Sequence, residues 1–138
     1  MADADLSVRR CTLPRMSDPT SRHHAIDYVE LTVTDLDAAT RFYADAFGWR
    51  FTSYGPAYAG IRHPHDDAAP EVGGLRLGDE VRPGGPLVLL YSADLDASVA
   101  AVTRAGGRVV DGPYPFPGGR RFTFADPSGN ELGVWSET

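Results

Sequence analysis

Residues 34–51, TDLDAATRFYADAFGWRF, align without a gap on residues 93–110, ADLDASVAAVTRAGGRVV, at an offset of 59 residues. The pairs Asp35/Asp94, Leu36/Leu95, Asp37/Asp96, Ala38/Ala97, Ala46/Ala105 and Gly48/Gly107 are identical. A period this long exceeds that of the solenoid repeats and points to two copies of one supersecondary unit. The chain has 138 residues, so both copies belong to one domain.

Each copy reads in the same order. An apolar or alternating strand comes first, Tyr28–Val33 or Pro86–Tyr91. Asp35 or Asp94 then caps a helix, with Asp37 or Asp96 placing negative charge at the positive end of its dipole. Leu36, Ala39, Phe42, Tyr43, Ala46 and Phe47 follow helical spacing, as do Leu95, Val99, Val102 and Ala105. Gly48 stops the first helix and Gly106-Gly107 the second. Extended segments follow at 50–54, 57–62 and 73–77, then at 108–110, 120–125 and 131–135. Residues 63–71, 78–86 and 112–119 read as loops. The unit is β-α-β-β-β, giving an α+β fold with modules at about 25–78 and 86–137. Residues 1–24 read as a flexible extension ahead of a single domain at 25–138; Met16 opens a second plausible start, which leaves open whether residues 1–15 are native.

The formal charge of −6 argues against a nucleic-acid or anionic-membrane partner, each of which needs a basic face. The single Cys11 excludes an intramolecular disulfide and a cysteine-rich zinc site, which fits a cytoplasmic location. No apolar run reaches the roughly 18 residues of a membrane span.

Three stretches carry a family likeness: VTDLDAATRFYADAFGW, AGGRVV and FADPSGNELGVW. With the tandem βαβββ units they resemble the vicinal oxygen chelate superfamily of glyoxalase, bleomycin-resistance and extradiol-dioxygenase proteins. The text is most similar to short single-domain bacterial glyoxalase-like members. The resemblance covers about residues 25–137 and implies two curled mixed sheets around a cavity, with helices outside. It also implies a homodimer whose cavity takes a small molecule.

In metal-using members, His, Glu or Gln on the first and last strands of each module hold a divalent ion. Inward-facing side chains of neighbouring strands converge there, leaving positions open for substrate oxygens. The matching positions here are Tyr28, Gly74, Val88 and Gly133. That set offers a single phenol and two positions without a side chain, so the usual metal site is expected to be missing; no cofactor is assigned, and a divalent metal held elsewhere stays open. Glyoxalase I activity itself is unexpected.

Alternation along a strand puts Glu30 on the face of Tyr28 and Glu131 on the face of Gly133. These carboxylates are the candidate catalytic residues, as a shifted metal or general-base site. The alternative is that each pairs with Arg76, Arg120 or Arg121, or faces water. The expected ligand cavity comprises Tyr28, Glu30, Tyr54, Phe116, Arg120, Glu131 and Trp135, with Tyr58, Phe122 and Phe124 adding aromatic surface. Either Arg120 or Arg121 can bind a carboxylate, the other facing away. His23-His24 reads as a solvated pair and the loop HPHDD at 63–67 as a solvated acidic loop. The expected function is binding of a small molecule, aromatic ones included, without the usual metal. The alternative is a lyase, isomerase or dioxygenase of the same superfamily with a rearranged site.

Overall fold

The computed structural model describes residues 22–138. Most of the expected N-terminal extension, residues 1–21, lies outside the described residues. The first module consists of β1 (Val29–Val33), α1 (Leu36–Phe47), β2 (Phe51–Ser53), β3 (Tyr58–Ile61) and β4 (Gly73–Leu77). The second repeats the order with β5 (Leu89–Tyr91), α2 (Leu95–Arg104), β6 (Arg108–Phe116), β7 (Gly119–Ala125) and β8 (Glu131–Ser136). Each module forms a four-stranded mixed sheet, ordered β1-β4-β3-β2 and β5-β8-β7-β6. The first and last strands of each module run parallel; the remaining pairs are antiparallel.

The duplicated text behaves identically in both copies. Asp35 and Asp94 have extended backbones, and their Oδ1 atoms accept from Ala38 N at 3.0 Å and Ala97 N at 3.1 Å. Each cap is worth about 1 kcal/mol. Gly48 takes φ 72° and returns its N–H to Ala44 O, ending α1 where a side chain would be strained.

One difference from the sequence reading concerns residues 112–116, expected as loop and found as the continuation of β6. Two register shifts, at Val109/Asp111 and Asp111/Tyr114, carry the strand past Gly112-Pro113. β6 is the edge of its sheet, so its prolines leave no inner ladder bond unmade. Tyr114 and Phe116 are therefore fixed strand positions opposite Arg121 and Gly119.

The core lies between the helices and the helix-facing sides of both sheets. Val33, Leu75, Phe122, Phe124, Leu132 and Val134 meet Ala39, Phe42, Tyr43, Leu95 and Val102 there. Phe42 and Phe47 of α1 reach Phe124 of the other module, with ring centroids 5.9 and 5.5 Å apart. Phe122 and Phe124 are thus core residues, not cavity lining. The modules are also pinned by hydrogen bonds from the turn of FADPSGNELGVW. Buried Asp126 accepts from Tyr43 Oη at 2.8 Å and from Ser128 N and Asn130 N at 2.9 Å each. Asn130 Nδ2 also donates to Thr32 O at 2.7 Å, and Thr34 N donates to Ser128 Oγ at 2.9 Å.

Burial, and then the charge of Asp126, holds the Tyr43 hydroxyl well above the usual tyrosine range. The folded state therefore favours neutral Tyr43. Its contribution is complete below about pH 10, the unfolded value, and is lost as pH rises beyond it. Tyr43→Phe should cost about 1.5–3 kcal/mol in urea unfolding near neutral pH, the range for a bond to a charged acceptor. The variant should also lose stability less steeply than the parent above about pH 10. Identical alkaline slopes for the two proteins would contradict the assignment.

Candidate functional site

The second face of each sheet, away from the helices, is open to solvent. On the first sheet the register aligns Glu30 with Gly74, Thr32 with Arg76, Tyr58 with Arg76 and Gly60 with Gly74. Gly74 has no Cβ, and the space above it is taken by the hydroxyl ends of Tyr58 and Tyr28. The two phenol oxygens are 2.7 Å apart. Tyr58 Oη donates to Glu30 Oε2 at 3.0 Å, and Arg76 Nε lies 3.5 Å from Glu30 Oε1. Arg76 Nη2 also donates to Thr32 Oγ1 at 2.8 Å. Beside this group Tyr54 Oη donates to Glu71 Oε2 at 2.8 Å, and the Glu71 carboxylate lies over Gly60. Of the alternatives for Glu30, the structure shows pairing with Arg76, together with a tyrosine donor.

Tyr58 is held above the ordinary tyrosine range, first by desolvation and then by its bonds to Tyr28 and Glu30. Tyr54 shifts the same way, chiefly through its bond to Glu71. Both therefore stay protonated at neutral pH and act as hydrogen-bond donors. The charged groups close to Tyr58 are Glu30 and, through it, Arg76.

The open face of the second sheet has a different chemistry. Leu89, Gly133 and Thr123 share one cross-strand row, and Tyr91, Trp135, Arg121 and Tyr114 the next. Leu89 and Leu87 fill the space above Gly133, as the tyrosines do above Gly74. Trp135 meets Tyr91 edge-on at 5.1 Å and Phe116 at 6.2 Å. Arg121 Nε donates to Tyr114 Oη at 2.7 Å, and its guanidinium carbon lies 5.5 and 5.6 Å from the Tyr114 and Phe116 ring centres. Tyr91 Oη donates to Glu137 Oε1 at 2.9 Å.

The expected cavity residues thus fall into two groups, Tyr28, Glu30 and Tyr54 on one face and Phe116 and Trp135 on the other. Among the described residues no hydrogen bond, ion pair or ring contact joins these two groups. Arg120 is a correction: it is the register partner of buried Ser136, while Arg121 is the partner of Trp135. Arg120 lies on the helix-facing side, 3.5 Å from Asp96 near the start of α2, and donates to Thr138 O. Glu131 is exposed at the beginning of β8, with no hydrogen bond or ion pair to a side chain among the described residues. Val88 is a second correction, since it packs against the core and Leu89 takes the open face beside Gly133. The offset of the duplication carried this signal, because it sets Leu87 against Tyr28 and Leu89 against Glu30.

The donors at the family's metal positions do not fit a divalent ion. One is a phenol already bonded to another phenol, two are glycines covered by other side chains, and one is an apolar residue facing the core. Among the described residues no three His, Cys, Asp or Glu side chains group as a metal site. In the 63–67 loop, Asp67 is held by Arg50 and Arg62, which pull its carboxyl below the usual range, first through the Arg50 bond. His63 Nδ1 accepts from His65 N at 3.1 Å. A groove of about 590 Å³ lies elsewhere, between the start of α1 and the helix-facing sides of β2 and β3, with Asp37, Thr40, Phe51 and Leu77 in its walls.

The sequence profile of the Glyoxalase/Bleomycin resistance protein/Dioxygenase superfamily matches residues 25–134. The chain belongs to that superfamily. A glyoxylase-like domain-containing protein of Didymella fabae is 31% identical over 93 residues, covering 62% of this chain and 71% of the relative. The fold is also that of a glyoxalase/bleomycin resistance protein/dioxygenase family enzyme from Burkholderia phytofirmans. That structure superposes with a TM-score of 0.67 at 18% identity, over 82% of this chain and 98% of the other. TnmS3, an antibiotic binding protein from Streptomyces sp. CB03234, aligns at 25% identity with a TM-score of 0.59, over 82% and 95%.

Gly74→Ala should destabilise the protein by about 1–3 kcal/mol, because the new methyl group displaces two bonded tyrosines. In the Tyr58→Ala background the same change should cost clearly less. A double-mutant cycle in urea measures the coupling, and strictly additive losses would show that Tyr58 does not occupy that space.

Proposed function

We propose that this protein binds a small, flat, partly aromatic molecule on the open sheet faces, in the manner of the bleomycin-resistance branch, without the usual metal. The observation that carries this reading is that aromatic groups cover or border the glycines at two of the positions that the family likeness makes metal ligands. Tyr28 and Tyr58 cover Gly74, while Trp135 and Phe116 flank the Gly133 strand. Aromatic faces and edges supply apolar contact, and the phenols and carboxylate of the first sheet are already bonded to one another, which leaves few groups for acid–base chemistry. The similarity to an antibiotic binding protein supports the same reading.

The two faces lie open in one chain: Tyr54 is 57% exposed, Tyr91 56% and Leu89 42%. A site that encloses a ligand therefore needs a cover, and a second copy of the chain is the proposed one. The resulting homodimer would set a first-sheet face against a second-sheet face.

The test is calorimetric titration and thermal-shift screening with planar aromatic compounds. Binding of at least one class at micromolar level is expected, weakened about tenfold or more by Trp135→Leu or Tyr58→Ala, or about 1.4 kcal/mol. The same samples should show no stoichiometric uptake of nickel, cobalt, manganese or zinc. Tight uptake of one of these ions abolished by Glu30→Gln would replace the reading with a metal-dependent one.

A further inference from the structure

Most arginines among the described residues are either paired or fully in water. Arg22, Arg50, Arg62, Arg76, Arg82 and Arg120 each lie within 4.0 Å of a carboxylate. Arg41, Arg104 and Arg108 have no such partner and are exposed. Arg121 has no ion pair among the described residues, yet it is half-buried. Its unbonded terminal amino groups keep contact with solvent, so an unpaired cation stands accessible on a part-buried aromatic face.

Its geometry is that of a prepared receptor. Nε is used by Tyr114 Oη at 2.7 Å, and the Tyr114 and Phe116 rings hold the charged plane at 5.5 and 5.6 Å. The two terminal amino groups have no acceptor among the described residues. Those groups form the edge that grips a carboxylate with two parallel bonds. The cross-strand neighbour of Arg121 is Trp135, whose ring contacts Phe116 and Tyr91 and extends the aromatic surface away from the cation. The other acids on this face stand apart: Glu137 accepts from Tyr91, Asp111 is opposite Thr123, and Glu131 is opposite Ala125 at the start of β8. By contrast, Arg76 on the first sheet is already satisfied by Glu30 and Thr32.

We propose that Arg121 recognises a planar oxyanion, a carboxylate or its equivalent, on an aromatic small molecule whose ring lies against Trp135 and Phe116. This rests on the small-molecule reading above and assigns the ligand's charge. The chain's net charge of −6 offers an anion no long-range attraction, so recognition depends on this local cation.

Matched probes test it: naphthoate and neutral naphthamide, titrated calorimetrically into the full chain. Naphthoate should bind at least about tenfold tighter than naphthamide, a difference of about 1.4 kcal/mol. Arg121→Gln should erase that preference, chiefly by weakening naphthoate, and Arg121→Lys should keep part of it. Tyr114→Phe should weaken naphthoate severalfold, because the fork loses its anchor but keeps its charge. Circular dichroism of each variant checks the fold, and Tyr114→Phe carries the test if Arg121→Gln fails to fold. Equal affinity of the two probes for the parent, or a preference unchanged in Arg121→Gln, would overturn the role of Arg121 and leave small-molecule binding standing. Absence of binding by both probes at millimolar concentration would also overturn it, while the wider compound screen still decides the binding reading. Sedimentation provides the last arm. If Arg121→Gln changes the oligomeric state, the acceptor is a carboxylate of a second copy and the ligand assignment falls.

Discussion

The Asp126 carboxylate is the point on which the arrangement of the two modules turns. It gathers Tyr43 of the first helix with Ser128 and Asn130 of its own turn, and Asn130 reaches Thr32 on the first strand. A buried carboxylate is tolerable only when its lone pairs are used, and here four donors use them, Asn130 Nδ2 being the fourth. The latch holds one module's closing hairpin against the other's opening strand and helix. The Phe42, Phe47 and Phe124 contacts then complete a common core around it.

The core takes most of the helix-facing sides, apart from the groove at the start of α1, and the opposite faces carry clustered polar and aromatic groups. The duplication gives them the same backbone plan, a glycine on the last strand beneath side chains from neighbouring segments. Divergence gives them different contents. Over Gly74 lie two phenols, a carboxylate and an arginine, all mutually bonded. Over Gly133 lie two leucines, and beside them an aromatic row ending in a guanidinium with free donors. One face is internally satisfied; the other still has a charge to neutralise.

Much of the fold was legible because the signals were local. Aspartate caps, helical spacing and terminal glycines act within a few residues, and the β4 span at 73–77 was read to the residue. The strand continuing through Gly112–Phe116 was not legible, because proline and glycine announce a loop and only an edge position with register shifts accommodates them. On the site side, alternation put Glu30 on the open face with Tyr28, and identified one member of the Arg120-Arg121 pair as outward. It did not say which one. Strand register decides that, since a single-residue slip exchanges the two faces.

The sequence by itself determined the tandem βαβββ plan, the helix boundaries and the residue types Tyr28, Gly74 and Gly133 at positions that the family likeness makes metal ligands. These follow from residue type and spacing, which survive without knowledge of what lies nearby. Only the tertiary structure decided that Tyr58 fills the space over Gly74, that Arg76 satisfies Glu30, and that Arg121 stands with Trp135 while Arg120 turns toward α2. Those outcomes depend on contacts between residues far apart in the chain, and their partners are fixed by register and module packing.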